Sequence, residues 1–293
     1  MTTDKFVHRA VLLNESIAGL NIKPDGIYID ATFGRGGHSA DILRQLSNKG
    51  RLIALDRDDT AIMSAQRFID DPRFSIHHVA FSNIEDVVNE LGLMFNIDGV
   101  LMDIGVSSPQ LDDASRGFSF QKDGPLDMRM DRSSGMSAAD WLNHASLEEI
   151  TMVLKTYGEE KFGKRIAHAV LEQRIVKPLE TTSEFAQLID KAVPVKDKFK
   201  HPATRSFQGV RIFINGELDQ LNQGLEGAVK VLKSGGRLAV ISFHSLEDRV
   251  VKRFIRTMSK GKDVPHGMPI MQHEIDADKV VKAIGKAVKP TAE

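Results

Sequence analysis

Two short stretches hold residues whose types and spacing could do chemistry together: IYIDATFGRGGHSADIL at 27–43 and RLIALDRD at 51–58. Asp30 closes a β-branched run that reads as a buried strand. Gly34, Gly36 and Gly37 follow at once, and Asp56 closes a second apolar run twenty residues beyond Gly36. Glycines so placed let the backbone turn sharply and approach a ligand. A helix is expected to begin near His38 or Ser39, with Ile42, Leu43 and Leu46 at helical spacing. A carboxylate at the end of the second strand can accept two hydrogen bonds from a ribose diol. The pattern is that of a nucleoside-cofactor site.

The glycine spacing is G-x-G-G, and Ser39 stands where a dinucleotide fingerprint would place its third glycine. A diphosphate seeks a helix N-terminus free of negative charge, and Asp30 is a poor neighbour for it. S-adenosylmethionine fits better, because its sulfonium and ammonium are cationic and it carries a ribose without phosphate. A ligand-free strand–helix turn is the bland alternative.

A third strand is expected at 74–79, with Phe81 after it at the loop edge, and a fourth at 97–105. The fourth leads into DIGVSSPQLDD, residues 103–113. Ligands of open α/β sheets sit beyond the carboxyl ends of the strands, so Asp103, Ser107, Ser108, Pro109 and Gln110 are expected to face the same crevice as Gly36 and Asp56. The Ser-Pro turn is similar to that of amino-group methyltransferases. An exocyclic amine on a base is a poor nucleophile, its lone pair being delocalised into the ring. Two acceptors for its N–H hydrogens, one a carbonyl beside proline and one a serine or aspartate oxygen, would favour a tetrahedral nitrogen aimed at a methyl group.

These residues need a scaffold, and the composition permits an ordinary globular one. The 293 residues are 41% hydrophobic and 27% charged, with net charge −1. Any basic binding surface must therefore be local. No apolar run approaches the roughly 20 residues that cross a bilayer, and the first residues lack a secretory signal, so no membrane association and a cytoplasmic location are expected. The chain contains no cysteine. That removes disulfides, thiolate zinc sites and iron–sulfur clusters. It also removes the cysteine nucleophile of pyrimidine carbon-5 methylation and the cluster of radical methylation. No metal site is expected.

Alternating strands and helices predict a doubly wound α/β sheet. The alternation stops between about 112 and 203, where helices are expected at 138–143, 147–157, 160–175 and 183–192, the last capped by Thr182 or Ser183. Phe207, Val210, Ile214, Leu218, Leu221, Leu225, Val229 and Leu232 then predict one long helix, bent by Gly209, Gly216 and Gly224 at about 1 kcal/mol each. Residues 233–236 should close it, a fifth strand should run 237–243, and a helix 247–258. The tail from Gly261 should be loose. The domains implied are 1–112 with 204–293, and a helical insertion at 113–203.

Further candidates are less specific. In RGFSFQKDGPLDMRMD, 116–131, Phe118 or Phe120 could stack on a base and Asp127 and Arg129 could contact substrate. Residues 195–211 hold Lys196, Lys198, Lys200, Arg205 and Arg211 against the single acid Asp197, with Phe199, His201 and Phe207 interleaved, a pattern suited to a phosphate backbone. Lys252, Arg253, Arg256, Lys260 and Lys262 form a second basic cluster. His244 and Asp248 should border the crevice, and His77-His78 is structural.

Five segments, DATFGRGGH (30–38), DIGVSSPQLD (103–112), 116–131, 201–211 and SFHSLEDR (242–249), closely resemble the bacterial small-subunit (16S) ribosomal RNA cytosine-N4 methyltransferases, the MraW/RsmH family, over nearly the whole chain. The resemblance implies a Rossmann-like class I methyltransferase sheet with an inserted all-helical, substrate-recognition domain. It implies methyl transfer from S-adenosyl-L-methionine to N4 of a cytidine in the decoding region. Its motifs map cofactor contacts onto Gly36, Gly37, His38, Asp56, Phe81, Asp103 and Gln110, and Asp103, Ser108 and Pro109 carry the catalytic expectation. The partner would be small-subunit ribosomal RNA within the assembled subunit; a homodimer is one option for the oligomeric state. The family's Arg-rich closing strand has no counterpart here, since the sequence stops at KAVKPTAE. The rival readings are a small-molecule N- or O-methyltransferase, a nicotinamide dehydrogenase and a non-catalytic RNA-binding module.

Overall fold

A computed structural model describes residues 10–260 and 279–290. The chain divides into two compact units, residues 1–105 with 218–293, and residues 106–217.

The first unit is built on a five-stranded, all-parallel sheet: β1 (Ile27–Asp30), β2 (Arg51–Asp56), β3 (Phe74–His78), β4 (Ile97–Asp103) and β5 (Leu232–Ile241), in the order β3-β2-β1-β4-β5. Parallel strands covered on both faces must be apolar on both sides, and this alternation divides the core. Tyr28, Leu52, Ala54 and Leu101 face one layer with α1 (Leu13–Leu20), α2 (Gly37–Gln45) and α3 (Asp59–Ser64). Ile29, Ile53, Leu55, Val100 and Met102 face the other, with α4 (Ile84–Glu90), α11 (Glu217–Val231) and α12 (Ser245–Lys260). The architecture is the expected doubly wound α/β sheet. Chain direction across it reverses between β1 and β4, so Asp30 and Asp103 end the two strands at the switch point where such sheets place ligands.

The second unit is helical: α5 (Ser108–Asp112), α6 (Ala138–His144), α7 (Leu147–Thr156), α8 (Gly163–Val176), α9 (Thr182–Ala192) and α10 (Ala203–Ile214). Its core gathers Trp141, Leu142, Ile150, Val153, Ile166, Val170, Phe185 and Ile189, joined by Phe207 and Val210 of α10. Because α10 buries its apolar face here, the unit runs to Glu217 rather than to residue 203.

Three local expectations are corrected. The long helix expected over 207–232 is two helices, α10 and α11, separated at Asn215-Gly216, where Gly216 adopts φ 57°; the apolar spacing runs through the break because both helices are amphipathic. The cap of α9 is Thr181, whose hydroxyl accepts the Glu184 N–H in a reciprocal capping box. Residues 233–236 do not simply close a helix: strand pairing with β4 begins at Leu232, skips them through a register shift between Ile97 and Gly99, and resumes at Arg237. The loose tail expected from Gly261 falls, up to residue 278, outside the described residues.

Residues 116–131 form an ordered loop. The buried Asn215 side chain accepts the Met130 N–H at 2.8 Å and donates to the carbonyls of Met128 at 2.8 Å and Arg211 at 2.9 Å. Removing it leaves buried backbone groups unpaired, at about 1–3 kcal/mol. Asn215→Ala is therefore expected to lower unfolding free energy by about 2 kcal/mol in a urea titration; a change under about 0.5 kcal/mol would mean that the loop is held by something else.

Candidate active site

The site is assembled from the carboxyl ends of β1, β2, β4 and β5. Asp30 is 1% exposed. Its carboxylate accepts the Ser39 hydroxyl at 2.6 Å and the Thr32 N–H at 3.3 Å. The serine that replaces the third glycine thus ties α2 to the acid ending β1. Thr32 in turn receives the Asp103 N–H on its hydroxyl oxygen at 2.6 Å, joining the two strands at the switch point.

Between them runs the glycine loop. Gly36 caps α2 with φ 68°, and a Cβ there would lie 2.7 Å from ring carbons of Phe33 and Phe68, so only glycine fits. A Cβ at Gly37 would lie 3.0 Å from that of Ala10. Asp56 accepts the Gly34 N–H at 2.7 Å and the Asp58 N–H at 2.9 Å. The acid expected to meet a ribose therefore also sets the loop's shape. Burial raises its pKa from the ordinary carboxylate range.

His38 is buried, with Nε2 3.2 Å from the Val11 carbonyl oxygen and Nδ1 3.8 Å from Asp103 Oδ2. Asp103 is strongly perturbed: burial first, then the charges of Asp30 and Glu247, push its pKa up to about 7. Its Oδ1 is buried and has no hydrogen-bond partner among the described residues. Burial likewise raises Asp30, against the pull of His38 and the Ser39 hydroxyl.

Glu247 was not singled out from the sequence. It is fully buried, accepts the Phe243 N–H at 2.9 Å and lies 3.1 Å from His244 Nε2. It stands three residues after His244, where a capping box places its acid. A histidine in the Ser/Thr position hides that pattern. Asp248, expected at the crevice, instead binds Lys252 at 2.8 Å on the exposed side of α12.

Phe81 opens a short 3-10 turn after β3, and a Cβ at Gly224 of α11 would lie 2.5 Å from its ring. The ring is thus pinned between the sheet's end and α11.

In the helical unit, Ser107 caps α5 with Pro109 in its first turn. The Gln110 carbonyl accepts the Ser107 N–H at 2.9 Å, so this side chain shapes the Ser-Ser-Pro turn from within. Several candidates there are architectural. Phe118 is buried in the core. Burial pushes Asp127 up, but bidentate bonds from Arg129 and the charge of Arg132 hold its carboxyl below the usual range. Phe120 packs on His201 with centroids 4.6 Å apart. Of the basic segment, Lys196 pairs with Asp190 and Arg211 bonds Glu217 through two 2.9 Å contacts, whereas Lys198, Phe199 and Lys200 are exposed.

A parallel sheet with a glycine loop and strand-end acids at its switch point defines a Rossmann-like methyltransferase domain. The chain matches the model of the MraW methylase family over residues 5–293 and belongs to that family. Curated relatives named "Ribosomal RNA small subunit methyltransferase H" include those of Alteromonas mediterranea, 65% identical over 99% of this chain and 93% of the relative, Pseudoalteromonas atlantica, 64% identical over 98% and 92%, and Shewanella loihica, 58% identical over 99% and 93%.

The donor set suits a cationic methyl donor. A buried, unbonded carboxylate oxygen on Asp103, backed by Asp30 and Glu247, would be stabilised by positive charge and opposed by a diphosphate. The sign of the pH effect follows. Asp103 has a higher pKa folded than unfolded, so its ionisation opposes folding; the penalty grows as pH rises from about 4 and is complete above about 7. Asp103→Asn is expected to leave stability near that of the parent at pH 4 and raise it by about 1–3 kcal/mol at pH 8. Denaturant titrations at both pH values check this, and an equal effect at the two would contradict it.

Proposed function

We propose that the chain transfers the methyl group of S-adenosyl-L-methionine to N4 of a cytidine in the decoding region of small-subunit ribosomal RNA, acting in the cytoplasm on the assembled small subunit. The observation that carries the reading is the unbonded buried oxygen of Asp103 at the end of β4. The names of the relatives support the RNA substrate. The absence of cysteine supports a nitrogen target, because attack through pyrimidine carbon 5 has no thiolate to begin it.

When bound, the cofactor supplies an electrophilic methyl carbon on a sulfonium. Asp56 accepts the ribose hydroxyls. Gly36 and Gly37 bring the backbone close because neither carries a Cβ. His38 and Asp103 form one polar wall, while Phe81 and Gln110 complete the set of cofactor contacts. Asp103 faces the positive charge, which favours its carboxylate form. Five residues on, the Ser108 hydroxyl and the carbonyl beside Pro109 accept the two N–H hydrogens of the amine and turn its lone pair toward the methyl carbon. As the carbon–nitrogen bond forms, the carbon–sulfur bond breaks, and the proton released from the amine passes to water. The helical unit, residues 106–217, recognises the RNA, with the exposed Lys198, Phe199 and Lys200 available to phosphates and an unstacked base.

The test is incubation with labelled methyl donor and small ribosomal subunits lacking the modification, followed by nucleoside analysis. Label is expected in N4-methylcytidine, and Asp103→Ala is expected to cut transfer by at least a hundredfold. Label in another nucleoside, or transfer only to small amines, would overturn the substrate; undiminished transfer by Asp103→Ala would overturn the role given to the end of β4.

A further inference from the structure

Outside the crevice, the strongest unexplained feature is the outer face of α12. Arg249, Lys252, Arg253, Arg256 and Lys260 are all exposed and, with Lys252 and Arg253 side by side, are otherwise spaced by three or four residues, so they form one stripe along the helix. The stripe spans about 16 Å at 1.5 Å per residue. Asp248 pairs with Lys252 at the N-terminal end, and Arg249 there is also engaged, so among the described residues the free charge of the row lies with Arg253, Arg256 and Lys260. The opposite face is spent on the fold: Leu246 and Val251 are buried, and Val250, Phe254 and Ile255 pack against the sheet core.

Helix formation does not explain the stripe. Arg249 with Arg253, Lys252 with Arg256, and Arg256 with Lys260 are like charges four residues apart, which oppose a helix. Cations in the last turn favour the helix dipole, but that accounts only for the end of the row. In a chain of net charge −1, the row is a local concentration of positive charge suited to an external polyanion. A membrane surface fits poorly, since a surface-bound helix inserts its apolar face and this one is already covered. The helix also starts four residues after Ile241, which pairs with Asp103, so the stripe leads away from the edge of the crevice.

We infer that the outer face of α12 is a phosphate track for the RNA whose base enters the crevice. This rests on the RNA reading above. The contacts are to backbone, so they set affinity and salt dependence rather than the choice of base.

The experiment uses the full chain and its triple variant Arg253→Gln, Arg256→Gln, Lys260→Gln, with unmethylated small ribosomal subunits and with the naked subunit RNA. The variant is expected to raise KM at least tenfold at 0.15 M salt with kcat within twofold. The slope of log affinity against log salt should become shallower by about 2 to 3, three phosphate contacts being lost. Its melting temperature should equal or exceed that of the parent, and its affinity for S-adenosylmethionine should be unchanged. An unchanged KM and salt slope would overturn the track, as would losses confined to binding of vesicles rich in phosphatidylserine. A parent chain that binds the RNA but never methylates it would sink the proposed reaction while leaving the track to be judged by the variant's binding. A parent that binds no RNA would sink both.

Discussion

The constraint on which the first unit depends is buried negative charge at the sheet's switch point. Asp30 and Asp103 end adjacent strands, and Glu247 lies in the helix that follows the next strand. A buried carboxylate is tolerated when donors reach it. Asp30 has the Ser39 hydroxyl and the Thr32 N–H; Glu247 has the Phe243 N–H and His244. Asp103 has His38 at 3.8 Å and an oxygen with no bonded partner. Burial opposes the ionisation of Asp30, Asp56 and Asp103 alike, but of the three Asp103 alone keeps a buried oxygen without a hydrogen-bond donor among the described residues, an arrangement that a nearby cation would stabilise.

The rest of the loop geometry follows from holding those acids in place. A third glycine at position 39 would leave one Asp30 oxygen without its hydroxyl donor; the serine hydroxyl opposes the rise that burial imposes on the acid's pKa and ties the first turn of α2 to it. Asp56 plays a comparable double part, shaping the loop through Gly34 while presenting a carboxylate at the end of β2. Loop shape and ligand charge are thus specified by the same side chains. A substitution at either acid would alter both, and separating them requires isosteric changes such as aspartate to asparagine.

Much of this was legible in the sequence. The three strand-end acids and the glycines are close in sequence to the strands that aim them, so period-two and continuous apolar runs located Asp30, Asp56 and Asp103. The break between α10 and α11 was not legible, because two amphipathic helices in a row keep the same apolar spacing across Asn215-Gly216. Nor was the architectural role of Arg129, whose partner Asp127 is two residues away but whose burial depends on the whole helical core. Glu247 was missed for a chemical reason: its cap partner is a histidine, where the recognisable pattern has serine or threonine.

The two charge patterns of the first unit are complementary in their physics. The crevice acids are buried and barely screened, so a single bound cation changes their energy strongly. The α12 cations stand in water, where salt screens each beyond roughly 8–10 Å. A row about 16 Å long therefore reaches past the field of Glu247 at its head, and attraction to a polyanion along its length need not contend with repulsion from the crevice. Keeping the acids inside and the cations on an outer helix face would let one small sheet take a positive ligand at its switch point, as proposed, and a negative one along its flank.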